Sequence, residues 1–310
     1  CAMVRGNKQN LRFMHKDTAA DPRWTDSLTG LYLRFAASGV IPARWYQKDL
    51  PGPAERAAAT GILDLEIVSH CWNYAGFLVY QLSSLVNFPP SGLRVTMTVF
   101  YAQEDRQTSE LLQFFERQNV PGVTWNWQVL PREQLFRRSI GRNRAALASR
   151  AHWVWFTDCD LMFREDCLQG LANELQGRRD VLVFPRQERV TELLETSDRM
   201  FTGDQGPRVV DIEAGRFEVS ERGRATGPLQ ITHGDVARAC GYCQALPYYQ
   251  KPVSAFAKAY EDRAFRWLLG SDGEPLDVPG VYRIRHIEKG RYSGSNLSNT
   301  VRSQIRQITD

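Results

Sequence analysis

Two carboxylates separated by one small residue close an apolar run in Trp153-Val154-Trp155-Phe156-Thr157-Asp158-Cys159-Asp160. Carboxylates held that close repel each other, and a cation relieves the repulsion. Hard divalent ions such as Mn2+ or Mg2+ prefer oxygen donors of this kind and commonly bridge them to phosphate. An Asp-x-Asp can equally be a solvated turn or a helix cap; its place directly after an apolar strand favours metal chemistry. Three further groups carry usable chemistry. Gly141-Arg142-Asn143-Arg144 precedes the doublet and could bring guanidinium groups to a diphosphate, although a solvated helix face would look the same. Tyr260-Glu261-Asp262-Arg263 puts two acids at the start of a helical pattern, where the macrodipole alone would favour them. His286 lies in the extended-looking Tyr282-Arg283-Ile284-Arg285-His286; a lone histidine there is as a rule structural.

The elements that must position these groups alternate in type. Strand patterns occur at 65–68, 93–101, 123–129, 153–157 and 181–184, and helical spacing at 77–86, 109–118, 142–149 and 168–175. Such alternation predicts an α/β fold with a Rossmann-like, mostly parallel central sheet flanked by helices. Ligands then bind beyond the carboxyl ends of the strands, which is where the Asp158 doublet falls. Residues 195–230 are rich in Gly, Arg and acids. Their strand-like runs at 209–212 and 217–220 suggest a hairpin insertion. Helical periodicity resumes over 253–269, and the tail after Gly290 is Ser/Asn-rich and expected to cover the surface. Residues 1–60, with Asp21-Pro22, Pro42, Pro51-Gly52-Pro53 and a single helical pattern at 27–38, read as an N-terminal arm. Residues 61–310 read as one catalytic domain.

Composition removes several alternatives. The 310 residues are 43% hydrophobic and 24% charged, which suits a globular chain and not a disordered or fibrous one. A net charge of +4 is too mild to argue for nucleic acid. No apolar stretch reaches the ~18 residues of a membrane span. Six cysteines, at 1, 71, 159, 167, 240 and 243, are too sparse for a disulfide framework. Cys240-Gly241-Tyr242-Cys243 has redox or zinc spacing but no second half-site, so two buried residues around a turn at Gly241 are expected. A cytoplasmic, reducing location is expected, with a place at the membrane surface left open. A targeting segment ahead of Cys1 is left open.

Taken in order, these groups resemble a nucleotide-diphospho-sugar glycosyltransferase with the glycosyltransferase A fold, close to the inverting family 2. The resemblance covers roughly residues 63–290. It rests on the polar loop after the first strand, Val68-Ser69-His70-Cys71-Trp72-Asn73-Tyr74, and on Gly141-Arg142-Asn143 sixteen residues before Asp158. The turn Cys240-Gly241-Tyr242 ahead of Glu261-Asp262, and the late His286, complete it. The second strand departs from the family, ending in Tyr101-Ala102-Gln103-Glu104-Asp105 where Asp-Asp-Gly-Ser is usual.

The resemblance implies a metal site at Asp158, Asp160 and His286 for Mn2+ or Mg2+. It implies nucleotide contacts from Ser69, His70, Tyr74, Gln103, Asp105, Arg142 and Asp158. Asp262, paired with Glu261, would be the base that deprotonates the acceptor hydroxyl. Gly227, Gln230 and Thr232 would wall the donor sugar, and Tyr248 and Tyr249 could stack on an acceptor or simply pack. The implied activity is transfer of a hexosyl or N-acetylhexosaminyl group from a UDP-sugar to a glycan, lipid-linked, protein or small-molecule acceptor in glycan biosynthesis. A retaining transferase of the same fold stays open at this point. So do a nucleotidyltransferase, though Ser69–Tyr74 lacks its Gly and Lys, and a non-catalytic carbohydrate or nucleic-acid binding module.

Overall fold

The computed structural model describes residues 24–47, 50–195, 197–202, 206–256 and 259–287. The readings placed on Asp21-Pro22 and on the tail after Gly290 lie outside these residues. In chain order the strands are β1 (Leu63–Cys71), β2 (Leu93–Tyr101), β3 (Val123–Val129), β4 (Trp153–Phe156), β5 (Leu161–Phe163), β6 (Leu182–Pro185), β7 (Gln187–Thr191), β8 (Phe217–Glu221), β9 (Gln230–His233), β10 (Glu274–Leu276) and β11 (Val281–Arg283). The α-helices are α1 (Trp24–Phe35), α2 (Ala75–Asn87), α3 (Arg106–Glu116), α4 (Arg132–Leu135), α5 (Arg138–Ala148), α6 (Cys167–Glu174), α7 (Arg199–Thr202), α8 (Gly234–Cys240) and α9 (Glu261–Leu269).

A seven-stranded sheet in the order β10-β6-β9-β4-β1-β2-β3 forms the core. Its strands are near-continuous apolar runs because helices cover both faces. Trp153, Val154, Trp155 and Phe156 are all buried, as are Leu65, Ile67 and Val68 of β1. Parallel pairing sets Leu63 to Cys71 against Leu93 to Tyr101, and Phe156 against Val68. The carboxyl ends of β1, β2 and β4 therefore open onto one edge. The expected mostly parallel sheet is observed, with β9 antiparallel to both β4 and β6.

A second, four-stranded sheet, β5-β11-β7-β8, continues directly from the Asp158 doublet. The buried carboxylate of Glu188 joins it internally, pairing with Arg283 at 2.8 Å and Arg222 at 2.5 Å. Burial opposes that charge, but the two guanidinium groups hold the Glu188 carboxyl below its usual range.

Two readings are corrected. The run at 209–212 is not a strand; Val210 instead donates its N–H to Ser83 Oγ at 2.9 Å. The strand β8 pairs with β7, so the insertion's hairpin partner is 187–191. The helix expected over 253–269 begins only at Glu261, because Tyr260 sits in the left-handed region (φ 56°) and breaks it.

The segment at 24–47 lies behind α9. Arg263 Nε donates to Ala37 O at 3.0 Å and Trp267 Nε1 to Ile41 O at 2.7 Å, while Tyr46 packs on the Trp267 ring. Among the described residues no helix is long and apolar enough to cross a membrane. The described cysteines are free and buried, including Cys240 and Cys243 at their turn.

The join between the two sheets depends on Gly280. Its φ is +69°, and a Cβ there would meet Glu165 O at 2.3 Å and Arg164 O at 2.6 Å. Both are backbone atoms that cannot step aside. Gly280→Ala is expected to destabilise the protein by about 1–3 kcal/mol, read as a lower urea midpoint at unchanged slope.

Candidate active site

The Asp158 doublet is fixed through its backbone and its central residue. Gln81, fully buried on α2, donates from Nε2 to Asp158 O and Leu161 O, both at 2.9 Å. Cys159 is buried, and its neighbour Cys71 together with burial pushes its thiol well up. It therefore acts as a neutral anchor to the end of β1. Asp158 and Asp160 stay half-buried on either side.

Arginines surround the two carboxylates. Asp158 Oδ1 accepts from Arg138 Nη1 at 2.6 Å and from Arg142 Nη2 at 3.1 Å. Burial disfavours the Arg283 cation, but Glu188, Asp160 and Asp158 raise its pKa again. Arg142 is itself buried, with its side chain 1% exposed. It donates to Tyr242 Oη (2.9 Å), Thr157 O (3.2 Å) and Gly227 O (3.3 Å) as well as to Asp158. Arg142 thus holds Asp158 from behind and does not present itself to a nucleotide.

The residues after Arg142 explain the paired motifs physically. Asn143 Oδ1 accepts from Tyr242 N at 2.9 Å, and a Cβ on Gly241 (φ +62°) would lie 2.1 Å from that oxygen. The 240–243 turn is therefore docked onto α5. From it Tyr242 Oη donates to Gln230 Oε1 at 2.9 Å, and Gln230 Nε2 donates to Asp262 O at 3.1 Å. Arg142, Tyr242 and Gln230 form a buried relay that ties the doublet to the start of α9.

At that start the two acids differ. Glu261 is buried and occupied: Oε2 accepts from Ser139 N at 3.3 Å at the α5 N-terminus, and Oε1 lies 3.4 Å from Arg138 Nε. Asp262 is half-buried and faces Gly227, where an added methyl group would come 3.8 Å from the Asp262 Cβ. Arg138, Gly227, Phe256, Tyr260, Glu261 and Asp262 line a cavity of ≈ 150 Å³. This is smaller than the roughly 300–1,000 Å³ of a complete ligand site, and suits one sugar or phosphate group.

The other expected residues are placed as follows. Ser69 and His70 are buried at the end of β1. His70 stacks on Phe100 (5.1 Å), and Gly141 makes room for it, since a Cβ there would lie 2.2 Å from Nε2. Tyr74 is buried, its ring tilted on Phe77 and on His286. Gln103 is exposed. Asp105 is buried and caps α3, accepting from Thr108 N (3.2 Å) and Thr108 Oγ1 (2.6 Å). It also accepts from Asn73 N (2.7 Å), so it staples the β1 and β2 loops together. Gln230 and Thr232 are fully buried, so they do not wall an open subsite; Gly227 does line the cavity. Tyr249 is buried and Tyr248 lies under Arg137 at 4.8 Å.

His286 packs on Phe77 with ring centroids 4.4 Å apart. Among the described residues no three His, Cys, Asp or Glu side chains gather as a metal site. Asp158, Asp160 and His286 are thus not assembled as a cage made by protein alone. The doublet's donor chemistry still fits Mg2+ or Mn2+, which take one or two carboxylates and complete their shell with phosphate and water.

Residues 104–238 match the Glycosyl transferase family 2 model. The match includes Gly141-Arg142-Asn143 and the Asp158 doublet, two of the features carrying the resemblance; the loop at 68–74, the turn at 240–242, Glu261-Asp262 and His286 lie outside it. Over those residues it bears out the resemblance to family 2 and the expectation of a glycosyltransferase with that family's fold. Solved structures are similar at low identity. The mannosyltransferase PcManGT from Pyrobaculum calidifontis, in complex with GDP-Man and Mn2+, is 16% identical over 92% of this chain and 73% of its own, with a TM-score of 0.41. TarS 1-349 of S. aureus in complex with UDP-GlcNAc is 14% identical over 76% of this chain and 61% of its own, with a TM-score of 0.43. The chain therefore spans about three fifths of that TarS chain. TM-scores this low carry no argument about the site. No curated protein matches the chain.

Sequence reading missed Arg138. It stands four residues before Arg142 and so on the same face of α5, but the helix was expected to begin at Arg142.

His70 links the site to pH. Burial, then Arg142 and Arg138, hold its pKa well below 6.5, so the folded protein keeps it neutral. The unfolded chain takes up a proton near pH 6.5 and the native state does not. Stability is therefore full above about pH 7 and falls as pH drops. His233, lowered mainly by burial, adds to the same slope. His70→Gln is expected to flatten the decline in melting temperature between about pH 7 and 5, with His233 supplying the remainder.

Proposed function

We propose that this glycosyltransferase moves a sugar from a nucleotide-diphosphate sugar, UDP-linked, to an acceptor hydroxyl with inversion at the anomeric carbon. One observation carries the reading: Asp262 and Arg138, which is bonded to Asp158, line one cavity. The diphosphate end and the acceptor end of a transfer reaction would then meet within one small space.

In this reading Asp262 accepts the proton of the attacking hydroxyl, which requires hydrogen-bond reach of that group. Glu261, committed to Ser139 N–H and Arg138, positions Asp262 and is not the base. Gln230 fixes the Asp262 backbone, and Gly227 leaves the cavity open beside it. A single displacement assisted by one base inverts the configuration. Asp158 and Asp160 would hold Mn2+ or Mg2+, which supplies Lewis-acid neutralisation of the leaving diphosphate when bound. Ser69, His70 and Asp105 shape the nucleotide side from below, with exposed Gln103 available for direct contact. His286 supports Tyr74 by packing. Residues 1–60 serve as an arm on a 61–310 catalytic domain. The acceptor is a glycan, lipid-linked, protein or small-molecule hydroxyl.

The test is a donor screen with UDP- and GDP-sugars in Mn2+ and Mg2+, with the anomeric configuration of the product determined by NMR. Asp262→Asn is expected to lower transfer at least ~100-fold, the scale of a lost general base, while UDP affinity by calorimetry stays within about twofold. Asp160→Ala is expected to abolish both activity and metal-dependent UDP binding. Normal turnover of Asp262→Asn would remove it as the base, and a retained anomer would remove the single displacement.

A further inference from the structure

Arg138 has so far been given only the task of holding Asp158 and Glu261. It is the first residue of α5, and its guanidinium spans the site, with Nη1 2.6 Å from Asp158 Oδ1 and Nε 3.4 Å from Glu261 Oε1. Arg142 shares the same Asp158 oxygen. The two arginines differ in freedom. Arg142 is 1% exposed and divides its donors among Tyr242, Thr157, Gly227 and Asp158. Arg138 is 30% exposed and lines the cavity beside Asp262. Among the described residues lining that cavity it is the sole basic one. A fork of this kind matches phosphate oxygens as well as carboxylate oxygens. Asp158 keeps one guanidinium partner, Arg142, if the other turns away.

We infer that Arg138 is a diphosphate-binding residue. It pairs with Asp158 until the donor arrives, and then turns its fork to a phosphate oxygen while Arg142 holds Asp158 in place. This exchange gives up the Nη1–Asp158 pair for a phosphate pair while Nε stays beside Glu261, and it releases an Asp158 lone pair at the moment a diphosphate enters. The inference rests on the donor reading above and adds to it a residue that contacts the leaving group.

The experiment is calorimetric titration of the full chain with inorganic pyrophosphate, UDP and uridine, with and without Mn2+. Wild type is compared with Arg138→Gln and Arg138→Lys, and melting temperatures are recorded alongside. Removing a charge-assisted contact is expected to weaken pyrophosphate and UDP about tenfold to a hundredfold and leave uridine unchanged. Arg138→Lys, which keeps the charge but not the fork, is expected to fall between. In turnover the loss is expected chiefly in donor KM. Wild-type affinity for pyrophosphate in Arg138→Gln, or a uridine loss equal to the UDP loss, overturns the inference while leaving the donor reading standing. If Arg138→Gln does not fold, Arg138→Lys decides: unchanged pyrophosphate binding overturns the inference. If wild type binds neither pyrophosphate nor UDP, the donor reading falls and this inference falls with it.

Discussion

A single buried guanidinium organises the site. A cation out of contact with water is tolerated where most of its donors are met; the two Nη groups of Arg142 reach four separate parts of the chain, while its Nε has no hydrogen-bond partner. Asp158, the end of β4 at Thr157, the loop at Gly227 and the Tyr242 hydroxyl all accept from it. Burial disfavours its charge, yet Tyr242 and Asp158 more than offset that and its pKa is raised. The doublet, the cavity wall and the turn before α9 are consequently tied together by one group, while Gln81 fixes the doublet's backbone and Asn143 seats the turn.

Much of the framework was legible because its strands are long, apolar and punctuated. The spans of β2 and β3 agree with the runs at 93–101 and 123–129, where β-branched and aromatic residues end at polar turns. The doublet's position after β4 followed from the same pattern. What escaped notice was short or non-local. The four residues of β9 are buried on both faces and antiparallel within a parallel sheet, so no period marks them. Residues 209–212 have strand composition but found a side-chain partner in Ser83 and no neighbouring strand.

For the site, the sequence located groups more reliably than it located roles. Gly141-Arg142-Asn143 stood out by spacing, but its task is internal: Gly141 admits the His70 ring, Arg142 supports Asp158 and Asn143 seats the 240–243 turn. Asp105 likewise turns out to be a cap and a loop staple. Glu261 and Asp262 are neighbours with equal charge. Which of them is buried and committed to partners is decided by Ser139 and Arg138, more than a hundred positions away, and no local pattern encodes that.

The grip of residues 24–47 on α9 gives the amino-terminal region a functional reach that its distance along the chain conceals. Arg263 and Trp267 anchor it from the helix that carries Asp262, with 226 positions separating each donor from its acceptor. A fusion or truncation placed in this segment would loosen the support of the acidic helix from behind. Changes to this segment therefore bear on the helix that carries Glu261 and Asp262.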